Sequence, residues 1–298
     1  MKVIRVFPRR TNATPVDADV RVGEPPGLFD KADEIHISVA FTWDMEIAER
    51  LAFQWERVAP VKIGGPATGM RGEEFVAGRY LANGYTITSR GCPNRCLHCS
   101  VPTREGGLRE LPIVDGFNVL DDNLIACSRG HIEAVFSMLD RQKRRPEFTG
   151  GLEARRLEPW HAKAMRELRT KQVFFAYDTD GALKPLIEAG RIMQEAGFTT
   201  ASHSLRCFVL CGFDGDTLDS AERRLRNAID AGFIPQAMIY HGDKGKVKFD
   251  PPKWASSWSR PAKIAGRINA ETRVDSEQPD AVLEPIPAPQ KKAHGIPK

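Results

Sequence analysis

The chain has 298 residues, with 43 Lys and Arg against 39 Asp and Glu, a formal charge of +4 and six cysteines. That length holds one large folded unit, with or without a smaller one, and the mild basicity permits a polyanionic partner without requiring one. No apolar run approaches membrane-spanning length and the first seven residues, MKVIRVF, alternate like a strand without a signal-peptide pattern, so a cytoplasmic protein with reduced thiols is expected, with no membrane partner.

Residues 35–41 form an apolar strand, Ile47, Ala48, Leu51, Ala52 and Trp55 fall on one face of a helix, and 61–63 run as a strand into Gly64-Gly65-Pro66. This predicts a small βαβ unit over 1–80. A further strand at 85–88 then leads into Gly91-Cys-Pro-Asn-Arg-Cys-Leu-His-Cys99. Beyond it the chain repeats a strand, a polar turn and an amphipathic helix. Strands are predicted at 117–120, 147–149, 173–177, 205–210 and 237–240. Helices are predicted on Ile132, Val135, Phe136 and Leu139, around Trp160, Met165 and Leu168, over 182–196, and on Leu218, Ala221, Leu225 and Ile229. With the strand before the cysteines this makes six strands, an α/β arrangement with a parallel sheet and right-handed crossovers over 81–242. Residues 243–268 read as an aromatic and basic capping segment, where Trp254 and Trp258 share a helical face or form a substrate lid. Residues 269–298 have the composition of a disordered tail.

Cys92, Cys96 and Cys99 lie within eight residues, with no fourth cysteine nearby. Thiolates are the usual ligands of iron-sulfur clusters, and three leave one iron of a four-iron cube open. Structural zinc usually takes two Cys pairs, and the second is absent; a zinc knuckle or a chance cluster of buried cysteines are the competing readings.

The Cys-x3-Cys-x2-Cys spacing after a strand resembles the radical S-adenosylmethionine (SAM) superfamily. The resemblance covers roughly residues 85–240 and implies a partial (β/α)6 barrel, open at one side. It also implies a 4Fe-4S cluster on Cys92, Cys96 and Cys99, SAM chelated at the open iron, and reductive cleavage to a 5′-deoxyadenosyl radical that abstracts hydrogen from a substrate. An electron donor such as flavodoxin or ferredoxin is implied as a partner. His98 takes the place of an aromatic residue near the adenine, or is an exposed loop histidine. Gly150 and Gly151 resemble the Gly-Gly-Glu motif that receives the SAM ammonium; Glu153 is displaced from it by Leu152, and a tight turn is the alternative. Asp178 resembles an acidic position near the ribose or methionine portion, or is a helix cap. Gly212 belongs to a turn resembling Gly-x-Pro-Gly-Glu-Thr, with Asp214 in place of proline, and Asp216 or Thr217 capping the next helix.

Asp121-Asp122-Asn123 follows the second strand of the repeat, where these three polar groups, Asp122 foremost, would orient substrate or accept a proton, or cap the turn. Cys127 reads as a buried structural cysteine, with a substrate-side thiol or hydrogen donor as the alternative, and Cys207 and Cys211 read first as core or wall residues. His203, Arg206, Tyr240 and His241 are weaker site candidates. The unit at 1–80 resembles a flavodoxin-like, cobalamin-binding-like domain, but lacks the Asp-x-His-x-x-Gly signature. A degenerate cap is therefore expected, with bound cobalamin as the alternative. No cysteine precedes Cys92 or follows Cys211, so a single cluster is expected. The leading expectation is a radical SAM enzyme acting on a small-molecule or nucleobase-type substrate. A cobalamin-dependent radical SAM methyltransferase and a zinc-stabilised nucleic-acid-binding module are the alternatives.

Overall fold

The computed structural model describes residues 1–72, 74–241 and Trp258. The expected capping segment and tail lie outside the described residues, apart from Trp258, which is fully buried.

Alternating β-branched residues build the first sheet. Strands β1 (Val3–Phe7), β2 (Val20–Val22), β3 (Glu34–Ser38) and β4 (Val61–Gly64) pair in parallel in the order β2-β1-β3-β4. Helix α1 (Met45–Trp55) carries Ala48, Leu51, Ala52 and Trp55 on one face, and these bury against Ile4, Val6, Ile35, Ile37 and Val39. Each large apolar side chain sealed in this way contributes about 1.5–3 kcal/mol. The sequence reading anticipates β3, α1 and β4 but not β2. Only three residues long and half-buried throughout, β2 has no pattern of its own and exists through its pairing with β1.

The second sheet is also parallel throughout, with its strands in chain order. Strands β5 (Tyr85–Thr86) and β6 (Ser89–Arg90) precede the cysteine loop; α2 (Val101–Arg104), β7 (Arg109–Glu110) and β8 (Asn118–Val119) follow it. Then come α3 (Arg129–Asp140), β9 (Glu147–Leu152), α4 (Pro159–Glu167), β10 (Gln172–Ala176), α5 (Leu183–Glu195), β11 (Leu205–Cys211), α6 (Leu218–Asp230) and β12 (Ile234–Ile239). The order is β12-β11-β10-β9-β8-β5, while β6 and β7 form a separate antiparallel pair across the base of the cysteine loop.

Local chemistry sets the helix starts. The Ser128 hydroxyl accepts from His131 N and the Thr217 hydroxyl from Ser220 N, while Glu158 and His161 form a reciprocal cap on α4, with Pro159 at its first position. The helices cover one face of the sheet, sealing Phe148, Val173, Phe175, Cys207, Val209 and Cys211 with Met165, Leu186, Met193, Leu225 and Trp258.

The expected single strand over 85–88 is divided. The Asp121 carboxylate accepts Thr88 N and Thr88 Oγ1, both at 2.6 Å, and Ser89 Oγ at 2.7 Å, so a side chain takes over where the ladder stops. Asp121 is thereby a structural tie. The two sheets are joined through the segment before β5. Arg5 Nη1 donates to the carbonyls of Gly78 and Arg79 at 3.0 and 2.7 Å, Ala82 N donates to Ala13 O at 2.8 Å, and Tyr80 Oη meets His36 Nδ1 at 2.6 Å.

Candidate functional site

The cysteine loop leaves β6 at the carboxyl end of the second sheet. Gly91 begins it at φ 82°, and a Cβ there would stand 2.3 Å from Gly107 O, so only glycine fits this turn. Gly91 N donates to Asp122 Oδ2 at 2.8 Å, and Cys99 N donates to Cys96 O at 3.1 Å. Cys92 is half-buried, Cys96 and Cys99 are exposed, and all three are free thiols. Loss of solvation pushes Cys96 and Cys99 above the ordinary thiol value, and the adjoining thiols add to this.

Asn123, just beyond β8, donates from Nδ2 to Cys92 Sγ at 3.4 Å and to Glu153 Oε2 at 2.9 Å. Glu153, just beyond β9, also receives Arg156 Nε at 2.8 Å and the side chain of Asn94 from within the loop. Burial raises the Glu153 pKa, but these three hydrogen bonds outweigh it and hold the carboxyl below its ordinary value. Its acceptor capacity is taken up in fastening the loop.

Asp178 follows β10 and accepts Leu210 N at 3.2 Å. It caps no helix: the short turn of helix after it spans Asp180–Ala182, with Thr179 at the cap position. Burial raises its pKa, only partly offset by the Leu210 N–H, Arg224 and His98. Gly150 and Gly151 lie within β9, which runs three residues past its expected end. A Cβ on Gly150 would fall 2.0 Å from Asp121 O, so this glycine lets β9 press against the chain leaving β8. Gly212 N donates to Asp216 Oδ2 at 2.8 Å, and Asp216 is paired at 2.7 Å with the buried Arg224. Thr217, not Asp216, caps α6. His98 stacks on Phe213 beyond β11 at 4.5 Å between ring centroids, and meets Tyr240 beyond β12 edge-on at 5.3 Å.

The chain beyond β8, β9, β11 and β12 thus meets the cysteine loop, which itself follows β5 and β6. Cys92, Cys96 and His98 lie on it, Asp122 and Glu153 bond to it directly, Asp178 bonds to Leu210 N of the neighbouring strand, and Gly150, Gly151 and Gly212 shape the turns beneath. Cys207 and Cys211 are fully buried in the core. Cys127 lines a cavity of about 270 Å³ with His161, Trp160 and Arg129, and burial pushes its thiol up to about 11. His241 packs against Trp43 at 4.0 Å, joining the end of the second sheet to the first. His203 sits in a turn at φ 53°.

Two features escape sequence reasoning. Asn94 is an amide that no motif marks, and Glu105 gathers three arginines; Asn123 is marked only by its place after a strand, not as a partner of Cys92. Glu105 is 3% exposed and meets Arg90, Arg104 and Arg109 at 3.1–3.5 Å while accepting Gly72 N.

Among the described residues no three His, Cys, Asp or Glu are gathered as a ready metal-binding group. The chemistry of the donor set nevertheless fits a soft-metal cluster: three unpaired thiols on one loop, one already receiving an N–H. No protein-family model and no curated protein matches the chain.

Proposed function

We propose that the chain is a radical SAM enzyme that binds one 4Fe-4S cluster through Cys92, Cys96 and Cys99. The observation that carries this reading is the meeting of the chain beyond β8, β9, β11 and β12 with a loop that carries three thiols free of disulfides. When bound, the cluster and SAM supply reductive cleavage to a 5′-deoxyadenosyl radical, which takes hydrogen from a small-molecule or nucleobase-type substrate. An electron donor such as flavodoxin or ferredoxin would serve it, in the cytoplasm.

The chain's own groups do the positioning. The Asn123 side-chain N–H directed at Cys92 Sγ holds that sulfur in place beside the strand end. Asp122 and Glu153 hold the loop on either side of Cys92, through Gly91 N and the Asn94 side chain. His98, backed by Phe213 and Tyr240, offers a flat face on which a base can stack. Asp178 beyond β10 would accept hydrogen bonds from vicinal hydroxyls, and the Gly150–Gly151 backbone allows close approach of a ligand. The sequential parallel sheet with intervening helices is compatible with an open partial barrel, whose strand ends would carry the chemistry.

Gly64-Gly65 does not favour cobalamin, because packing accounts for it. A Cβ on Gly65, at φ 108°, would lie 2.5 Å from Val39 O, and Val39 N already donates to Gly64 O.

Anaerobic reconstitution tests the proposal. Broad visible absorption with about four irons per chain is expected. Cys92→Ala, Cys96→Ala or Cys99→Ala should each abolish reductant-dependent 5′-deoxyadenosine formation. Colourless protein with one zinc per chain would overturn the reading.

A further inference from the structure

Arg206 is the second residue of β11 and is 7% exposed. Leu205 and Cys207 on either side of it enter the helix-covered core, so Arg206, Phe208 and Leu210 line the opposite face. In register, Arg206 stands beside Phe174 of β10 and Ile234 of β12, and Phe208 beside Gln236. Its guanidinium carbon lies 5.7 Å from the Phe174 ring centroid, and that ring stacks on Phe208 at 4.4 Å. The polar pair Thr149–Asn118 joins the same face further along, with Thr149 Oγ1 donating to Asn118 Oδ1 at 2.5 Å.

Among the described residues Arg206 has no carboxylate partner, and its buried Nε has no acceptor. Burial alone perturbs it, lowering its pKa. Arg224 shows what this chain does with a buried guanidinium elsewhere: it forks onto Asp216 and donates to Leu210 O. A cation taken out of water without a counter-charge is strongly disfavoured, and the aromatic ring beneath Arg206 offsets little of that. The fork of a guanidinium matches a carboxylate or phosphate in plane and spacing.

We propose that Arg206 is the docking point for an oxyanion, a carboxylate or a phosphate, on the molecule that binds the face of the second sheet turned away from its helices. The Phe174–Phe208 stack forms the apolar wall beside it. That this molecule is the substrate of the radical rests on the function proposed above; the anion site itself does not.

The test is thermal unfolding of the full chain at constant ionic strength, titrated with inorganic phosphate, with succinate, and with chloride as control. Wild type should show a saturable rise in Tm with phosphate or succinate and none with chloride; whichever acts identifies the group. Arg206→Met should lose the rise and, without added anion, melt at or above wild type, because an unpaired buried charge has been removed. Arg206→Lys, which keeps the charge but not the fork, should weaken apparent binding about tenfold, and carries the test if Arg206→Met does not fold. A wild-type Tm that ignores both anions, or an equal rise in the variants, would overturn the site. The readout needs neither cluster nor SAM, so failure here leaves the cluster reading intact, and failure of iron loading leaves this site standing.

Discussion

Asn123 is a single 3%-exposed side chain whose amide holds two elements at once, Cys92 in the loop and Glu153 beyond β9. Removing it leaves Glu153 with fewer donors in a partly buried setting and frees the first cysteine. Asn123→Ala should lower stability by about 1–3 kcal/mol. It should also speed the reaction of Cys92 with a thiol reagent in the metal-free chain. An unchanged labelling rate and an unchanged melting curve would remove Asn123 from the site. At this scale the cysteine spacing is plain in the sequence, because ligands on one short loop are local. The residues that hold the loop are not: Asn123 and Cys92 are 31 positions apart, and the amide carries no spacing signature.

At the scale of elements, Glu105 joins α2, the β6–β7 pair and the segment before β5. Its burial alone would raise the pKa, but hydrogen bonds and charge from Arg104, Arg90 and Arg109, with Gly72 N, bring it below the ordinary carboxyl value. An acid whose pKa is lower folded than unfolded lends stability above the unfolded value of about 4.3 and loses it as pH falls through the folded value. Wild type should therefore weaken steeply on acidification below that range, and Glu105→Gln should show a flatter acid limb in urea unfolding at pH 7 and pH 3.5. At pH 7 the variant should lose stability near the lower end of about 3–5 kcal/mol, since the three arginines keep some solvent contact. An acid limb of equal slope in both proteins would contradict this role. The helices and long strands were legible as periodicity. β2 was not, and neither was the break after β5, because pairing with β1 creates the one and the Asp121 carboxylate the other.

Over the whole molecule, two apolar clusters stand apart, one against each sheet, and hydrogen bonds from Arg5, Ala82 and Tyr80 link them. Leu51→Ala, in the first cluster, should cost about 2–5 kcal/mol there. Hydrogen exchange should quicken in β1, β3 and β4 and stay unchanged in β9, β10 and β11; equal loss in both sheets would show a single cooperative unit. Alternation of strands and helices, apolar faces and the three-cysteine loop are properties of neighbouring residues, and the amino-acid order determined them unaided. Long-range partners are another matter. Asp121 meets Thr88 across 33 residues, Asn123 meets Glu153 across 30, and Asp178 meets Leu210 across 32. Each span is about one strand-helix repeat, so these contacts exist only once consecutive strands lie side by side. Arg206 and Arg224 are alike as letters. Only the folded sheet gave one a buried carboxylate and left the other facing an aromatic wall, because charge pairing depends on which strand ends and helix faces meet in space.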